Sequence, residues 1–423
     1  MTTPEVQRAI EAVWRLEAPK VIAGLTRMVR DLSLAEDLAH DALLAALEQW
    51  PADGIPRNPG AWLMAAGKHR AIDQLRRRAR LRRKHEEFAR ELDGGPVSGA
   101  ADLDAAMDDD IGDDLLRLIF TACHPVLPTE ARVALTLRLL GGLTTEEIAR
   151  AFLTPEPTIA QRIVRAKRTL AKANVPYEVP RGKEREVRLG SVLDVIYLVF
   201  NEGYSATSGE DWVRPSLCDE ALRLGRVLAG MVPEEPEVHG LVALMELQSS
   251  RLRARVGPNG EAVRLLDQNR ARWDRLLIGR GLAALERAER LASEAGPYHI
   301  QAAIAACHAR ATVPGDTDWT RIADLYARLV VVTRSPIVRL NHAVAVGMAK
   351  SPGAGLALVD ALIAEGELDT YHYAPSVRGD LLEKLGRTAE ARVEFERAAR
   401  LTRNARERDL LNARAQACGP SSR

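Results

Sequence analysis

Cysteine and aromatic residues are scarce in this sequence of 423 residues, which has four cysteines and only 4% aromatic side chains. The cysteines lie far apart and form no CxxC pair, so the spacing speaks against a zinc or redox site and favours small buried side chains. No apolar run reaches about 18 residues, and the N-terminus lacks a basic segment followed by an apolar one. We therefore expect a cytoplasmic protein that has no membrane partner.

Motifs of nucleotide-binding and hydrolytic enzymes are missing as well. The sequence contains no P-loop, no glycine fingerprint of a dinucleotide-binding fold, no HExxH and no GxSxG. We therefore expect a protein that is not an enzyme and that carries neither a cofactor nor a metal.

Alanine, leucine and arginine are abundant, and this bias favours helices over strands, so we predict an all-α fold. The length indicates two to four domains, because single cores stop growing beyond about 250–300 residues. The net charge is only +1, but residues 61–90 hold ten Lys or Arg against three acids, whereas residues 91–114 hold nine acids and no Lys or Arg. This separation indicates a surface that binds a polyanion, followed by a solvated acidic linker.

Proline, glycine and aspartate divide the chain into five parts. A helical domain is predicted at 1–90, with its Pro and Gly residues grouped at 51–60. Residues 91–112 lack periodicity and are predicted to form a flexible linker. A second helical domain is predicted at 113–174 and a connector at 175–190, and the remainder, 191–423, is predicted to be helix after helix.

The strongest local motif is LTTEEIARAFLTPEPTIAQRIVRAKRTL at 143–170, which predicts a helix-turn-helix. Thr144 or Thr145 can cap the first helix, and Glu147 completes a capping box with Thr144. Two prolines then break the chain, and a second helix is predicted from about Thr158. Apolar residues expected to face inward are Ile148, Ala149 and Phe152 in the first helix and Ile159, Ile163, Ala166 and Leu170 in the second.

The opposite face of the second helix carries side chains whose hydrogen-bonding groups match base edges in the major groove and phosphate. A helical hairpin with a solvated basic face is the alternative interpretation. The residues predicted to contact DNA are Thr158, Gln161, Arg162, Arg165, Lys167 and Arg168.

Two further helices are predicted before the linker. The run LAEDLAHDALLAALEQW at 34–50 has a core stripe formed by Leu38, Ala42, Leu43, Ala46 and Leu47, while acidic residues recur on another face. The run WLMAAGKHRAIDQLRRRARLRR at 62–83 pairs an apolar stripe with basic residues that can neutralise phosphate. Taken singly, each charged face is better explained as a simple solvated surface.

The order of these pieces resembles the extracytoplasmic-function (ECF) sigma factors, which keep only domains 2 and 4 of the sigma-70 family. The resemblance covers about residues 6–173 and implies that 158–170 recognises the −35 element. The acidic helix looks like the polymerase-binding helix of the family, so Asp37, Asp41 and Leu44 are implied to face the β′ clamp helices. The linker is implied to thread near the active-site channel of the polymerase.

Recognition of the −10 element is implied for the loop at 51–60, which corresponds to a segment that captures a flipped base, and for the basic helix after it. Two departures from the family pattern lie in that helix: Lys68-His69 replaces a common Arg-Asn, and Ala66-Gly67 replaces Ile-Ala. The residues implied are Arg57, Asn58, Lys68, His69, Arg70, Asp73, Arg76 and Arg77.

The C-terminal part resembles the tetratricopeptide-like (TPR-like) extension of some ECF sigma factors. LLEKLGRTAEARVEFERAARL at 381–401 has a turn at Gly386 and small residues at helical spacing, as in the second half of a TPR unit. A generic all-α domain is the alternative. NEGYSATSG at 201–209 resembles a motif near the start of that extension, and Asn201, Glu202 and Tyr204 are candidates for a regulatory contact. An inter-helix turn held by Gly203 is an equal alternative.

The function predicted from these features is that of an alternative sigma factor. Its expected partners are core RNA polymerase (β′ clamp helices and β flap), promoter DNA, and a protein or small-molecule regulator of the extension. A polymerase-independent helix-turn-helix regulator would instead bind a palindromic operator as duplex only. A TPR-type scaffold would make no sequence-specific DNA contact.

Overall fold

The structure is a computed structural model that describes residues 3–90, 111–206, 212–258 and 260–418. These ranges contain α-helices, short 3-10 turns and no β-sheet, only an isolated bridge between Val256 and Ala262. The predicted all-α fold is confirmed. The chain divides into two compact units, residues 1–195 and 196–423, and the boundary falls inside one long helix.

The first unit begins with three long helices and continues with four shorter ones. The predicted acidic linker lies outside the described residues, apart from its last two positions, where the fourth helix starts. The bounds are α1 Thr3–Val29, α2 Leu32–Asp53, α3 Pro59–Arg90, α4 Ile111–Ala122, α5 Thr129–Leu139, α6 Thr145–Ala151, α7 Glu156–Lys172 and α8 Gly182–Tyr204.

Helix α2 starts and ends at residues that suit its termini. The carboxylate of Asp31 accepts hydrogen bonds from the backbone of Ser33 and Leu34, which satisfies two otherwise unpaired donors. The helix runs through Pro51 to Asp53 and ends at Gly54, whose φ of 84° suits glycine. The predicted loop therefore starts three residues later than expected.

The core stripe predicted for α2 is only partly confirmed. Leu38, Ala42 and Ala46 are buried, whereas Leu43 and Leu47 are partly exposed. Gly67 lies at a close approach of α3 to α1, because a Cβ there would lie 2.9 Å from Leu25 Cδ1. The small residue that departs from the family pattern thus serves helix packing.

Helix α1 also packs against α4 and α5. The hydroxyl of Tyr177, in the segment after α7, lies 3.0 Å from the carbonyl oxygen of Ala23 and 2.9 Å from that of Asp114. Arg27 of α1 forms an ion pair with the buried carboxylate of Asp114 at 3.2 Å. The three-helix segment and the helix-turn-helix segment are therefore packed together within the first unit.

The second unit is a succession of helices, most of which pack against the next one along the chain. Predicted small and aromatic positions at 391, 395 and 398 are fully buried, and Gly386 turns the chain with a φ of 73°. The prediction of closely paired helices here is confirmed. The remaining bounds are α9 Pro215–Met231, α10 Pro236–Ser249, α11 Arg275–Leu291, α12 Pro297–Arg310, α13 Trp319–Thr333, α14 Pro336–Ala349, α15 Pro352–Ala364, α16 Tyr373–Lys384, α17 Thr388–Leu401 and α18 Ala405–Ala417.

All four cysteines are buried free thiols, as the spacing predicts. In the part of the chain that the structure describes, no helix is both long enough and apolar enough to cross a membrane.

Candidate nucleic-acid interface

The helix-turn-helix is built by α6 and α7. The hydroxyl of Thr144 accepts a hydrogen bond from the backbone of Glu147 at 3.1 Å, and the Glu147 carboxylate accepts one from the backbone of Thr144 at 2.8 Å. This is the predicted capping box. Helix α7 begins at Glu156, two residues earlier than predicted, because Pro157 tolerates the first turn, where backbone N–H groups have no helical partner.

Helix α7 has two distinct faces. Its apolar face is buried at all four predicted positions, while Phe152 of the preceding turn is only partly buried. Thr158, Gln161, Arg165 and Arg168 are exposed on the other side, and Arg162 is half-buried beside them. The surface thus offers hydrogen-bonding groups suited to base edges and phosphate, and contact with DNA stays a prediction for each of them.

Lys167 differs from the other predicted reader residues, because it lies on the flank of α7 and pairs with Glu36 of α2. Glu36 also accepts a hydrogen bond from Arg138 of α5 at 2.7 Å. Burial by itself raises the pKa of Glu36, but Lys167 and Arg138 together offset burial and hold the pKa below its ordinary value. A negatively charged Glu36 therefore links α2 to both helices.

The candidate −10 surface lies at the start of α3 and along that helix. Arg57 and Asn58 are exposed, and the side chain of Asn58 accepts a hydrogen bond from the backbone of Ala61 at 3.1 Å, which caps the helix. Farther along α3, His69, Asp73, Arg76 and Arg77 are exposed, while Lys68 and Arg70 are half-buried.

Charge on this surface is largely uncompensated. Arg76 and Arg77 form no ion pair with any described residue. The imidazole Nδ1 of His69 lies 2.9 Å from the carbonyl oxygen of Ala65, one turn earlier. The middle of α3 is therefore a cationic surface on which Arg76 and Arg77 are available to a polyanion.

Helix α2 presents the predicted acidic and apolar face. Asp37 and Asp41 are exposed, and the side chain of Leu44 is 48% exposed although it is apolar. The three residues follow helical spacing, so they lie on one side of α2. An exposed leucine beside two carboxylates suits a partner surface that combines apolar and basic groups.

The motif at 201–209 is described as far as Ala206, and its last three residues lie outside the described residues. Asn201–Tyr204 form the last turn of α8 and are not an inter-helix turn. Glu202 is buried and pairs with Arg214, and Tyr204 is buried and stacks on Phe200 with ring centroids 5.7 Å apart. Glu202 and Tyr204 therefore face the interior of the second unit, and a regulatory contact at these residues stays a prediction.

Gly203 permits the close approach of α8 to the start of α9. A Cβ there would lie 2.7 Å from the backbone nitrogen of Cys218 and 2.8 Å from Leu217 Cβ.

Sequence reasoning missed Glu36 and also missed Arg251 and Arg255, which lie beside Tyr204. The only signal for the arginines was their spacing of four residues in an otherwise irregular segment.

Three family models match the chain. Residues 13–81 match "Sigma-70 region 2", residues 117–170 match "Sigma-70, region 4", and residues 188–289 match "Family of unknown function (DUF6596)". The first two matches fall on α1–α3 and on α4–α7.

Several proteins are similar to this chain over part or most of its length. An uncharacterized protein of Rhizobium meliloti (strain 1021) is 46% identical over 391 residues, which are 92% of this chain and 91% of that protein. The probable ECF RNA polymerase sigma factor SigI of Mycobacterium tuberculosis is 25% identical over 178 residues, 42% of this chain and 60% of that protein. The RNA polymerase sigma-H factor of Pseudomonas aeruginosa is 28% identical over 161 residues, 37% of this chain and 81% of that protein.

The helical fold and the two matched regions define a transcription-initiation factor in which regions 2 and 4 precede a helical extension. The chain belongs to the sigma-70 family as an ECF-like sigma factor, and its extension includes a DUF6596 region.

Proposed function

We propose that this protein binds core RNA polymerase, directs it to promoters that carry −35 and −10 elements, and is controlled through its C-terminal extension. The observation that carries the proposal is the two-faced helix α7. Its apolar side is buried in the helix-turn-helix core, while Gln161, Arg165 and Arg168 are exposed together.

Recognition of the −35 element follows from the chemistry of this face. Arginine pairs bidentately with guanine O6 and N7, glutamine pairs with adenine N6 and N7, and both side chains fit the major groove when they project from a helix. Thr158 lies in the first turn of α7, where the backbone N–H groups and the helix dipole favour a phosphate. These groups read duplex DNA without separating the strands.

Recognition of the −10 element uses the start of α3. Arg76 and Arg77 neutralise phosphates, while the preceding loop with Arg57 holds a base outside the stack. Binding of an unstacked base lowers the free energy of the opened strand, so this region couples recognition to strand separation. A duplex-only regulator has no use for such a pocket.

Docking on the polymerase uses α2 through Asp37, Asp41 and Leu44. Carboxylates steer the approach to a basic partner helix, and burial of Leu44 adds apolar area to the interface. We assign this face to the β′ clamp helices and assign region 4 to the β flap.

The contact between α2 and α7 belongs to the form that is free of DNA. The names of the −35 and −10 elements imply a separation of about 25 base pairs, or roughly 80 Å along B-form DNA. Helix α3 packs against α2, and α2 is tied to α7 through Glu36, so α3 and α7 cannot reach both elements while that contact is held. Promoter binding therefore requires the two regions to separate.

Control through the extension is supported by its construction. Residues 196–423 form a compact unit with a hydrophobic core of its own, built around Phe395 and Leu382. The extension is thus able to respond to a partner or ligand as a unit. Truncation after Tyr204 keeps α8 whole and tests this part of the proposal. Constitutive transcription by the truncated chain indicates that the extension inhibits it, and loss of transcription in a folded chain indicates that the extension is required. Unchanged activity refutes control through the extension.

Co-purification with core polymerase and run-off transcription test the proposal as a whole. Leu44→Asp should abolish co-purification, whereas Leu16→Asp, at a more exposed leucine on α1, should leave it intact. A palindromic operator bound without polymerase would favour the regulator. A folded chain with no affinity for polymerase or DNA would favour the scaffold.

A further inference from the structure

Arg255 is the most unusual charged residue of the second unit. It is 9% exposed, and its side chain has neither a hydrogen bond nor an ion pair with a described residue. The two other described arginines that are this deeply buried form hydrogen bonds through their terminal nitrogens, although the Nε of each, like that of Arg255, has no partner among the described residues. Arg188 bonds the carbonyl oxygen of Phe120 and the carboxylate of Glu184, and Arg270 bonds the carbonyl oxygens of His308 and Ala311.

Aromatic rings hold the Arg255 guanidinium in place. Its central carbon lies 3.8 Å from the ring centroid of Tyr204 and 5.3 Å from that of Trp212. Stacking covers the flat face of a guanidinium and leaves its edge, where the N–H donors are, for a planar partner. The indole nitrogen of Trp212 is a further buried donor, and no described residue accepts a hydrogen bond from it.

A second arginine increases the positive charge at the same place. The guanidinium carbon of Arg251 lies 5.5 Å from the Tyr204 ring centroid, and Arg251 forms no ion pair with a described residue. Burial lowers the pKa of Arg251. Tyr204 partly offsets this effect, and the charge of Arg255 lowers the pKa further. Burial also lowers the pKa of the neighbouring His308 to about 3, with further lowering by Arg251 and Arg270, so this imidazole is neutral.

Among the described residues no carboxylate pairs with either guanidinium, and burying Arg255 beside the partly buried Arg251 is costly, because hydration is lost and the two charges repel each other. We propose that Arg255 and Arg251, with the indole N–H of Trp212, form a binding site for a small oxyanion, a molecule that carries a carboxylate or phosphate group. Because Arg255 is only 9% exposed, a small molecule suits this position better than a macromolecular surface does. All three residues lie inside the matched region of unknown function at 188–289.

Ligand binding to the full-length protein tests the site. Inorganic phosphate and citrate, each titrated at constant ionic strength against chloride, serve as probes in thermal unfolding and Trp fluorescence. At least one probe should raise the unfolding temperature of the wild type by several degrees and change its fluorescence. Arg255→Gln should abolish both responses, and Trp212→Phe should abolish most of the fluorescence change.

Arg253→Gln is the matched control, because Arg253 lies in the same segment but is exposed. It should respond to the probes as the wild type does. A response to phosphate alone would indicate a phosphate ligand, and a response to citrate alone would indicate a carboxylate ligand. No response of the wild type to either probe, or an equal response of Arg255→Gln, would overturn the proposal.

A second measurement covers the case in which Arg255→Gln alters folding. Without a probe, removal of an uncompensated buried charge should leave the unfolding temperature unchanged or raise it. A marked loss of stability in chloride alone would mean that the protein itself compensates Arg255, and would also refute the site. Neither measurement depends on transcription, so the site can fail while the proposed sigma function stands.

Discussion

Glu36 of α2 and Lys167 of α7 form an ion pair between region 2 and the recognition helix of region 4, 131 positions apart in sequence. Both side chains are largely buried, so the pair is shielded from solvent screening. The same carboxylate accepts a hydrogen bond from Arg138. A residue expected to contact DNA is thus engaged inside the protein when no DNA is bound.

The first prediction concerns the coupling between these two residues. Glu36→Gln and Lys167→Met should each destabilise the first unit, and the double variant should lose less than the sum of the two. The coupling energy should be about 1–3 kcal/mol, as for contacting charged residues. Urea unfolding measures the free energy of unfolding of each variant, and hydrogen exchange identifies the transition of the first unit. Additive losses of stability in the double variant would show that the contact is unimportant.

The second prediction concerns pH. The pKa of Glu36 is lowered in the folded protein, so its contribution to stability is full above the unfolded value of about 4.3 and is lost as the pH falls through the lower folded pKa. The difference in unfolding free energy between the wild type and Glu36→Gln should therefore shrink between pH 6 and pH 3. A difference that stays constant over this range would contradict the prediction.

The third prediction concerns promoter reading. Arg165→Ala should weaken the use of a −35 element by about 1–3 kcal/mol if Arg165 makes a base contact, and should relax sequence preference at one position. Lys172→Ala, at an exposed basic residue in the last turn of α7, should reduce affinity slightly and equally for all sequences. Run-off transcription from a set of −35 variants measures both effects. An unchanged preference removes Arg165 from the readers.

The fourth prediction concerns Gly203 and Gly190, two of the three glycines of α8. Gly203→Ala should destabilise the protein by about 1–3 kcal/mol, because the new Cβ would overlap the backbone of Cys218 and Arg214. Gly190→Ala is the control, since a Cβ there meets no atom within 4 Å. That variant should stabilise α8 by up to about 1 kcal/mol, the difference in helix propensity. Thermal unfolding distinguishes the two, and equal effects would be inconsistent with the close approach at Gly203.

Local chemistry made much of the first unit predictable. The capping box of Thr144 and Glu147, the inward positions of α7 and the exposed positions of α2 follow from hydrogen bonding and helical periodicity within a few residues. Helix ends were less certain. Helix α2 continues through Pro51 because the first part of the helix and its buried Trp50 fix the backbone before the proline is reached.

The sequence by itself determined the class of the fold, the two faces of the recognition helix and the separation of acidic from basic segments, because these depend on near neighbours. Only the tertiary structure decided that Lys167 pairs with Glu36, that Gly203 admits the start of α9, and that Arg251 and Arg255 share Tyr204. Each of these relationships joins residues from separate elements. Contacts of that kind depend on how whole helices pack, and helical periodicity carries no information about which helix will lie opposite.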